Sequence, residues 1–255
     1  MPLRIGAPSF YNTLPFFYPI LQKKIDADVE CIFEVPTRIN ELLTSGELDV
    51  GLVSSIHAQP PFHALPTIGI GASQEVMSVN LYANNEVVCS DESIIGITTA
   101  SKTSQALLKV LCYHALEIHP TFVPFDPKET SLDTLKDLDG FLLIGDACLE
   151  HPTIAGFTTI DLATAWYTNT DLPFIFALFA SPEQKHLEFV EPLLQHCLDW
   201  SMEHIDEVIA SVHSKVPPEM LARYFRTLEY RLTPQHFQGL HLFQELIKTY
   251  DIQTS

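Results

Sequence analysis

The sequence has few basic residues. Its 255 residues include 14 lysines and arginines against 32 aspartates and glutamates, which gives a formal net charge of −18 at pH 7 with histidine neutral. The sequence contains no cluster of basic residues. A protein that binds nucleic acid or an anionic membrane surface needs a positively charged face. We therefore expect neither as a partner. An anionic ligand would need local donors, such as hydroxyl groups and the amides at helix N-termini.

Long apolar runs and paired cysteines are also missing. No run reaches the roughly 18 apolar residues of a membrane span, and the opening MPLRIGAPSF does not resemble a secretion signal. The five cysteines are odd in number, scattered, and without a Cys-x-x-Cys pair, which is typical of reduced thiols. We expect a cytoplasmic protein, and the sequence leaves the oligomeric state open.

Several catalytic motifs are absent as well. The sequence contains no glycine-rich phosphate-binding loop, no Gly-x-Gly-x-x-Gly and no Gly-x-Ser-x-Gly. Its histidines do not occur four residues apart with an acidic partner, so we expect no metal site. His57, just after two serines, is the one histidine that we keep as a candidate for ligand contact, because function is often carried by loops.

Strand and helix patterns alternate along the first 180 residues. The runs Asp49–Val53 and Gly140–Ile144 are almost wholly apolar, as is typical of strands buried on both faces of a parallel sheet. The alternation restarts at Ile94, and a helical pattern occupies the chain after Ser181. The sequence therefore predicts an α/β protein made of two lobes and a helical C-terminal tail.

Two strand-like segments predict where the chain passes between the lobes. If Met77–Tyr82 leaves the first lobe and Phe174–Ala180 returns to it, one lobe comprises residues 1–83 and 176–255, and the other comprises residues 84–175. A chain that crosses twice in this way would bind its ligand in a cleft between the lobes, at the C-terminal ends of the strands.

Small polar residues lie at five predicted strand ends, four of them after a strand and one inside the predicted crossover. Singly, each group is typical of a helix cap or a turn. Together they favour a carboxylate site, because hydroxyls and first-turn amides bind anions. Among these groups, the start of the predicted helix at residues 101–104 is the strongest candidate for an anion-binding site. Asp146 is either the N-cap of a short helix or a ligand contact. The five groups are Ser9–Thr13, Ser54–Ser55, Met77–Asn80, Thr99–Ser104 and Gly145–Ala147.

Six segments resemble one family in the right order along the chain: the menaquinone-biosynthesis enzymes of the futalosine pathway. The resemblance covers residues 5–177. The C-terminal tail resembles the family only in its helical pattern. The segments are Tyr11-Asn12-Thr13-Leu14-Pro15, Gly46 to Ser55, Ser78-Val79, Ser101 to Ser104, Ile144 to Ala147, and Ala165-Trp166 with Leu172 to Ala177.

The resemblance implies a two-lobed, periplasmic-binding-protein-like (type II) α/β fold used as an enzyme. It also implies a lyase that dehydrates chorismate to 3-[(1-carboxyvinyl)oxy]benzoate without metal or organic cofactor. Asn12 and Ser78 match polar positions at the reacting ring, and we expect them to be catalytic. The expected substrate-binding residues are Tyr11, Ser54, Ser55, Ser101, Thr103, Ser104 and Asp146.

Two other interpretations stay open. One is the dihydroxynaphthoate synthase of the same pathway, although that enzyme usually opens with a Cys-Pro-Asn-Asp-Thr-like segment and carries a histidine base in its cleft. The other is a cytosolic protein that binds a small carboxylate without changing it. The chain also departs from the family at His57, where an acidic residue is usual.

Overall fold

A computed structural model describes residues 2–86 and 89–253. No helix in these ranges is both long and apolar enough to span a membrane. The elements, in chain order, are β1 (Leu3–Pro8), a 3-10 helix (Tyr11–Thr13), α1 (Leu14–Leu21), β2 (Val29–Glu34), α2 (Pro36–Ser45), β3 (Val50–Ser54), β4 (His63–Ala72), β5 (Val79–Asn84), β6 (Ile94–Thr98), α3 (Lys102–Val110), a π-helical turn (Leu111–Ala115), β7 (Thr121–Phe125), α4 (Leu132–Leu135), β8 (Gly140–Ile144), α5 (Asp146–Glu150), β9 (Phe157–Asp161), α6 (Leu162–Thr170), β10 (Phe174–Ser181), α7 (Gln184–Glu203), α8 (Ile205–Ala210), α9 (Pro218–Thr227), β11 (Glu229–Arg231) and α10 (Pro234–Thr249).

The chain divides into two compact units. Unit 1 comprises Met1–Gly71 and Ile175–Thr233, and unit 2 comprises Ala72–Phe174 and Pro234–Ser255. The chain therefore passes between the units three times, whereas the sequence predicted two passages.

These units differ from the predicted lobes mainly in segments 72–83 and 234–255, which both belong to unit 2. The first differs because β5 pairs with β8 and β9 and so forms part of the second sheet. The second differs because α10 packs against α3. At Gly239 of α10, an added Cβ would lie 2.0 Å from the carbonyl oxygen of Pro173, so the missing side chain permits this close contact.

Unit 1 is built on a six-stranded sheet in the order β11-β4-β10-β3-β1-β2. β1 runs parallel to β2 and β3, and β10 runs antiparallel to β3. The first four residues of β3, Val50 to Val53, are all buried, which confirms the interpretation of the apolar run as an interior strand.

Aromatic residues of α1 fill much of the core of unit 1. Phe16 and Phe17 are fully buried. The ring of Phe16 meets those of Phe179 and Tyr230 edge-on, at centroid distances of 5.0 and 5.3 Å. Each such pair adds about 0.5–1.5 kcal/mol beyond simple burial, so this packing fixes α1, and with it the end of the polar segment that precedes the helix.

Unit 2 is built on a five-stranded sheet in the order β7-β6-β8-β5-β9. β6 is parallel to β7 and β8, whereas β5 is antiparallel to both of its neighbours. The C-terminal ends of β6 and β8 therefore lie at the same edge of the sheet as the N-terminal end of β5. This geometry brings the residues that flank these three strand ends to one edge.

Candidate functional site

In unit 1, the segment after β1 turns at once into a 3-10 helix. The hydroxyl of Thr13 closes this turn by donating to the carbonyl oxygens of Phe10 and Pro8, at 2.8 and 3.1 Å. Tyr11 and Asn12 form the body of the turn and are half-buried. The side-chain oxygen of Asn12 is buried and has no hydrogen-bond partner among the described residues.

The end of the neighbouring strand β3 places two serine hydroxyls. A main-chain bond from the His57 N–H to the Ser54 carbonyl (2.8 Å) forms a tight turn, and the Ser54 hydroxyl lies 3.2 Å from Nδ1 of His57. The Ser55 N–H donates to the carbonyl of Phe176 at 3.0 Å. The Ser55 hydroxyl is wholly buried and, within the described chain, has no partner.

The unpartnered atoms of Asn12 and Ser55 follow adjacent parallel strands. The β1–β3 register pairs Ile5 with Val50 and Gly6 with Gly51, so continuing it brings the ends of both strands to the same edge of the sheet. A buried polar atom without a partner costs about 1–3 kcal/mol. A ligand that donates to the amide oxygen and bonds the hydroxyl would remove that cost.

In unit 2, Ser78 sits just before β5 in a tightly fixed backbone. It is 2% exposed. Its N–H donates to the carbonyl of Val76 at 2.7 Å, and its own carbonyl accepts from the N–H of Gly145 at the same distance. This second bond ties the residue before β5 to the residue after β8, so Ser78 and the start of α5 share one edge of the sheet.

Asp146 is placed next to this link. The sequence predicted an N-cap or a ligand contact at this position. The structure shows that Gly145 is the N-cap of α5 and that Asp146 is the first residue of the helix. The N-cap interpretation is therefore wrong by one residue. The carboxylate of Asp146 still lies in the first turn of α5, where the helix dipole stabilises negative charge.

The hydroxyl cluster at the start of α3 lies at the same edge of the second sheet. Ser101 is the N-cap, and its oxygen accepts from the Ser104 N–H at 3.2 Å. The two hydroxyls also lie 3.0 Å apart. Thr103 and Ser104 are buried, at 1% and 3% exposure. The predicted cap is thus present, and one of the first-turn amides already has a partner.

Asp161 is a polar residue of this region that the sequence interpretation missed. Its two carboxylate oxygens accept four main-chain N–H bonds, from Val76, Met77, Ala163 and Thr164, at 2.7–3.0 Å. Burial raises the pKa of this carboxyl, and the main-chain donors oppose the shift. An acidic residue directly before a helical pattern is an N-cap signal, but the bonds to Val76 and Met77 are long-range and leave no local signal.

The ion pair of Arg4 with Asp49 serves the fold. Asp49, just before β3, accepts from Nε and Nη2 of Arg4 at 3.0 and 2.9 Å, so it links β3 to β1 and is not part of the polar edge. Within residues 2–86 and 89–253, no group of three or more His, Cys, Asp or Glu side chains is arranged to hold a metal ion.

The family model for menaquinone biosynthesis matches residues 3–249. The chain belongs to this family. It is 28% identical to a chorismate dehydratase from Thermus thermophilus over an alignment of 271 positions that covers 96% of this chain and 95% of the relative. It is 29% identical to a chorismate dehydratase from Campylobacter jejuni over 187 residues, or 71% and 69% of the two chains.

Solved structures confirm the fold of this family member. Protein AF1704 from Archaeoglobus fulgidus superposes with a TM-score of 0.75 at 16% identity, over 99% of this chain and 98% of that one. The periplasmic aliphatic sulphonate binding protein SsuA from Escherichia coli superposes at 0.69 and 14% identity, over 100% and 89%. The predicted periplasmic-binding-protein-like α/β fold is therefore confirmed.

Proposed function

We propose that this protein is a lyase that dehydrates chorismate to 3-[(1-carboxyvinyl)oxy]benzoate. The observation that carries the proposal is the match over 96% of the chain to a relative named chorismate dehydratase. The polar strand ends support it, because chorismate offers a ring hydroxyl and two carboxylates to the amide and hydroxyl groups found there.

The reaction removes the elements of water across two neighbouring ring carbons. The C–H bond at the carbon bearing the enolpyruvyl ether breaks, and its electron pair forms a ring double bond. The C–O bond at the adjacent carbon breaks, and the hydroxide leaves with a proton as water. Because the product ring is aromatic, the driving force is large, and positioning supplies much of the catalysis.

In this proposal the substrate supplies its own base. Most of the proposed contacts are neutral hydroxyl and amide groups, and a carboxylate within reach of the ring proton can accept it. The enolpyruvyl carboxylate of chorismate takes the proton and delivers it to the leaving oxygen. Asp146 is the carboxyl group among the proposed contacts, and a proton relay through it would use its acid form.

Asn12 and Ser78 have separate roles in the proposed reaction. Asn12 accepts from the ring hydroxyl through its unpartnered side-chain oxygen and orients the ring. Ser78 donates to the leaving oxygen or to a carboxylate. Substrate carboxylates are held by the hydroxyl groups, aided by the amides at the start of α3. The proposed binding residues are Tyr11, Ser54, Ser55, Ser101, Thr103, Ser104 and Asp146.

Incubating chelator-treated protein with chorismate, and identifying the product by mass and by NMR, tests this proposal. We expect a product one water lighter than chorismate with an aromatic ring, formed without added metal, and little of it from Asn12→Ala protein. Unchanged chorismate that still raises the melting temperature would favour a carboxylate-binding protein. If chorismate is neither consumed nor bound, the substrate assignment is wrong, and dihydroxynaphthoate synthesis is the next activity to assay.

A cytoplasmic setting belongs to the same proposal. The five cysteines are free thiols, and burial raises the pKa of Cys31 to about 11 and of both Cys112 and Cys197 to about 12. Such thiols are unreactive near neutral pH, which suits a protein kept in a reducing compartment.

A further inference from the structure

Asp161 connects two separate parts of unit 2 through different oxygen atoms. Its Oδ1 accepts from the N–H groups of Ala163 and Thr164, both at 3.0 Å, and so caps α6. Its Oδ2 accepts from the N–H groups of Val76 and Met77 at 2.9 and 2.7 Å, some 85 residues earlier in the chain. The first pair is an ordinary helix cap, and the second has no part in capping.

The segment that Oδ2 holds has an unfavourable backbone. Met77 has φ of +59°, a conformation that is rare for a residue with a side chain. The N–H of Ser78 bonds to the carbonyl of Val76 at 2.7 Å across this residue, so the three residues form a γ-turn of the strained, positive-φ type. Such a conformation persists only where surrounding contacts impose it.

Two hydrogen bonds with side chains hold the main chain of Met77. Its N–H is held by Asp161, and its carbonyl accepts from Nδ2 of Asn80 at 3.0 Å. The next residue is Ser78, which the proposed function places at the reacting ring. The position of the Ser78 hydroxyl therefore depends on a turn that would relax without its anchors.

We propose that Asp161 is a positioning residue that fixes the Ser78 hydroxyl by holding Met77 in its left-handed conformation. This inference rests on the proposed function for the role of Ser78. It assigns Asp161 no contact with substrate. The carboxylate acts through the main chain of residues 76–78, and capping α6 is its second, separable role.

Asp161→Ser separates the two roles. Serine is a good N-cap, so one oxygen can still accept from the first turn of α6, but the side chain is too short and has no second oxygen for Val76 and Met77. We expect kcat for chorismate to fall about tenfold or more, with KM changed by less than about threefold. Partial unfolding would also lower kcat per total protein without changing KM, so kcat is calculated per folded protein, with the folded fraction measured by circular dichroism under the assay conditions.

A second substitution tests the cause of that loss. Glycine adopts positive φ freely, so Met77→Gly added to Asp161→Ser should bring kcat back to within about threefold of the original enzyme. Met77→Ala is the matched control: it removes the same side chain but still disfavours positive φ, and we expect it to restore nothing. Ser131→Ala is a control for the loss of a helix cap elsewhere in unit 2. It removes the cap of α4 and should leave kcat unchanged.

Amide hydrogen exchange gives a readout that needs no substrate. The Ser78 amide, protected by its bond to Val76, should exchange faster in Asp161→Ser and regain protection in the double variant with Met77→Gly, but not with Met77→Ala. The inference is wrong if kcat and exchange in Asp161→Ser stay within twofold of the original, or if glycine and alanine restore them equally or not at all. If the original enzyme leaves chorismate unchanged while exchange follows the expected pattern, the proposed function fails and the anchoring of Ser78 by Asp161 stands.

Discussion

Ser55 of unit 1 and Ser101 of unit 2, which both follow strands, differ in how their hydroxyls are held. In unit 1, the Ser55 hydroxyl is buried and without a partner among the described residues. In unit 2, Ser101 and Ser104 bond to each other and close the first turn of α3. A ligand would complete the first kind of group, whereas the second already stabilises the local fold. Substitutions in the two units should therefore affect binding and stability in different proportions.

The largest effects should come from Asn12 and Ser78, the two residues that the proposed function assigns to the reacting ring. We expect Asn12→Ala and Ser78→Ala each to lower kcat/KM for chorismate by about a hundredfold, because both position the reacting atoms. Asn40→Ala is the control for Asn12, since Asn40 also has a buried side-chain oxygen without a described partner but lies in α2. If both substitutions at the ring leave turnover within about twofold, the assignment of these roles is wrong.

Ser55→Ala tests the unpartnered hydroxyl of unit 1. We expect binding of chorismate to weaken about tenfold, the value of one hydrogen bond to a charged group. Stability of the free protein should stay the same or rise, because a buried group without a partner is removed. Ser201→Ala is the matched control: that hydroxyl in α7 is also wholly buried and unpartnered in the described chain. Equal weakening of binding in both variants would contradict a specific contact at Ser55.

Ser101→Ala tests the opposite behaviour in unit 2. Loss of the N-cap of α3 should reduce the free energy of unfolding by about 0.5–2 kcal/mol even without ligand. Denaturant unfolding measures this directly. A variant as stable as the original would show that the hydroxyls at the start of α3 do not stabilise the fold, and the contrast between the units would be lost.

The smallest effect concerns Asp49, which precedes the same strand that ends at Ser54. The Arg4 side chain, through its hydrogen bonds, lowers the pKa of the Asp49 carboxyl, and burial opposes the shift. Because the folded pKa lies below the unfolded value, this pair stabilises the fold above about pH 4 and is lost as the pH falls through the folded pKa. We expect Asp49→Asn to lower the melting temperature slightly at pH 7, and the difference to shrink in acid. A difference that grows in acid would contradict this sign.

Much of the fold could be predicted from local patterns. The apolar runs at Asp49–Val53 and Gly140–Ile144 correspond to β3 and β8, since interior strands carry a continuous apolar signal. β9 was not predicted, because Phe157–Asp161 alternates between half-buried and exposed residues and lies next to a helical pattern. The place of α10 in unit 2 depends on packing against α3, which the helical period does not encode.

The candidate site shows the same limit. Four of the five polar groups predicted from the sequence lie at the C-terminal ends of β1, β3, β6 and β8, whereas the fifth, Met77–Asn80, lies at the start of β5. The sequence could not distinguish a hydroxyl that is bonded internally, as at Ser101, from one left unpartnered, as at Ser55, because tertiary packing decides that difference. The link from Asp161 to Met77 spans 84 residues and was unpredictable for the same reason.

The most direct test of the central claim is a crystal structure of Ser78→Ala protein soaked or co-crystallised with chorismate. We predict that Oδ1 of Asn12 and the hydroxyl of Ser55 each lie within hydrogen-bond distance of the bound substrate, the first at the ring hydroxyl and the second at a carboxylate. Chorismate bound elsewhere, with both atoms still without a partner, would contradict the account.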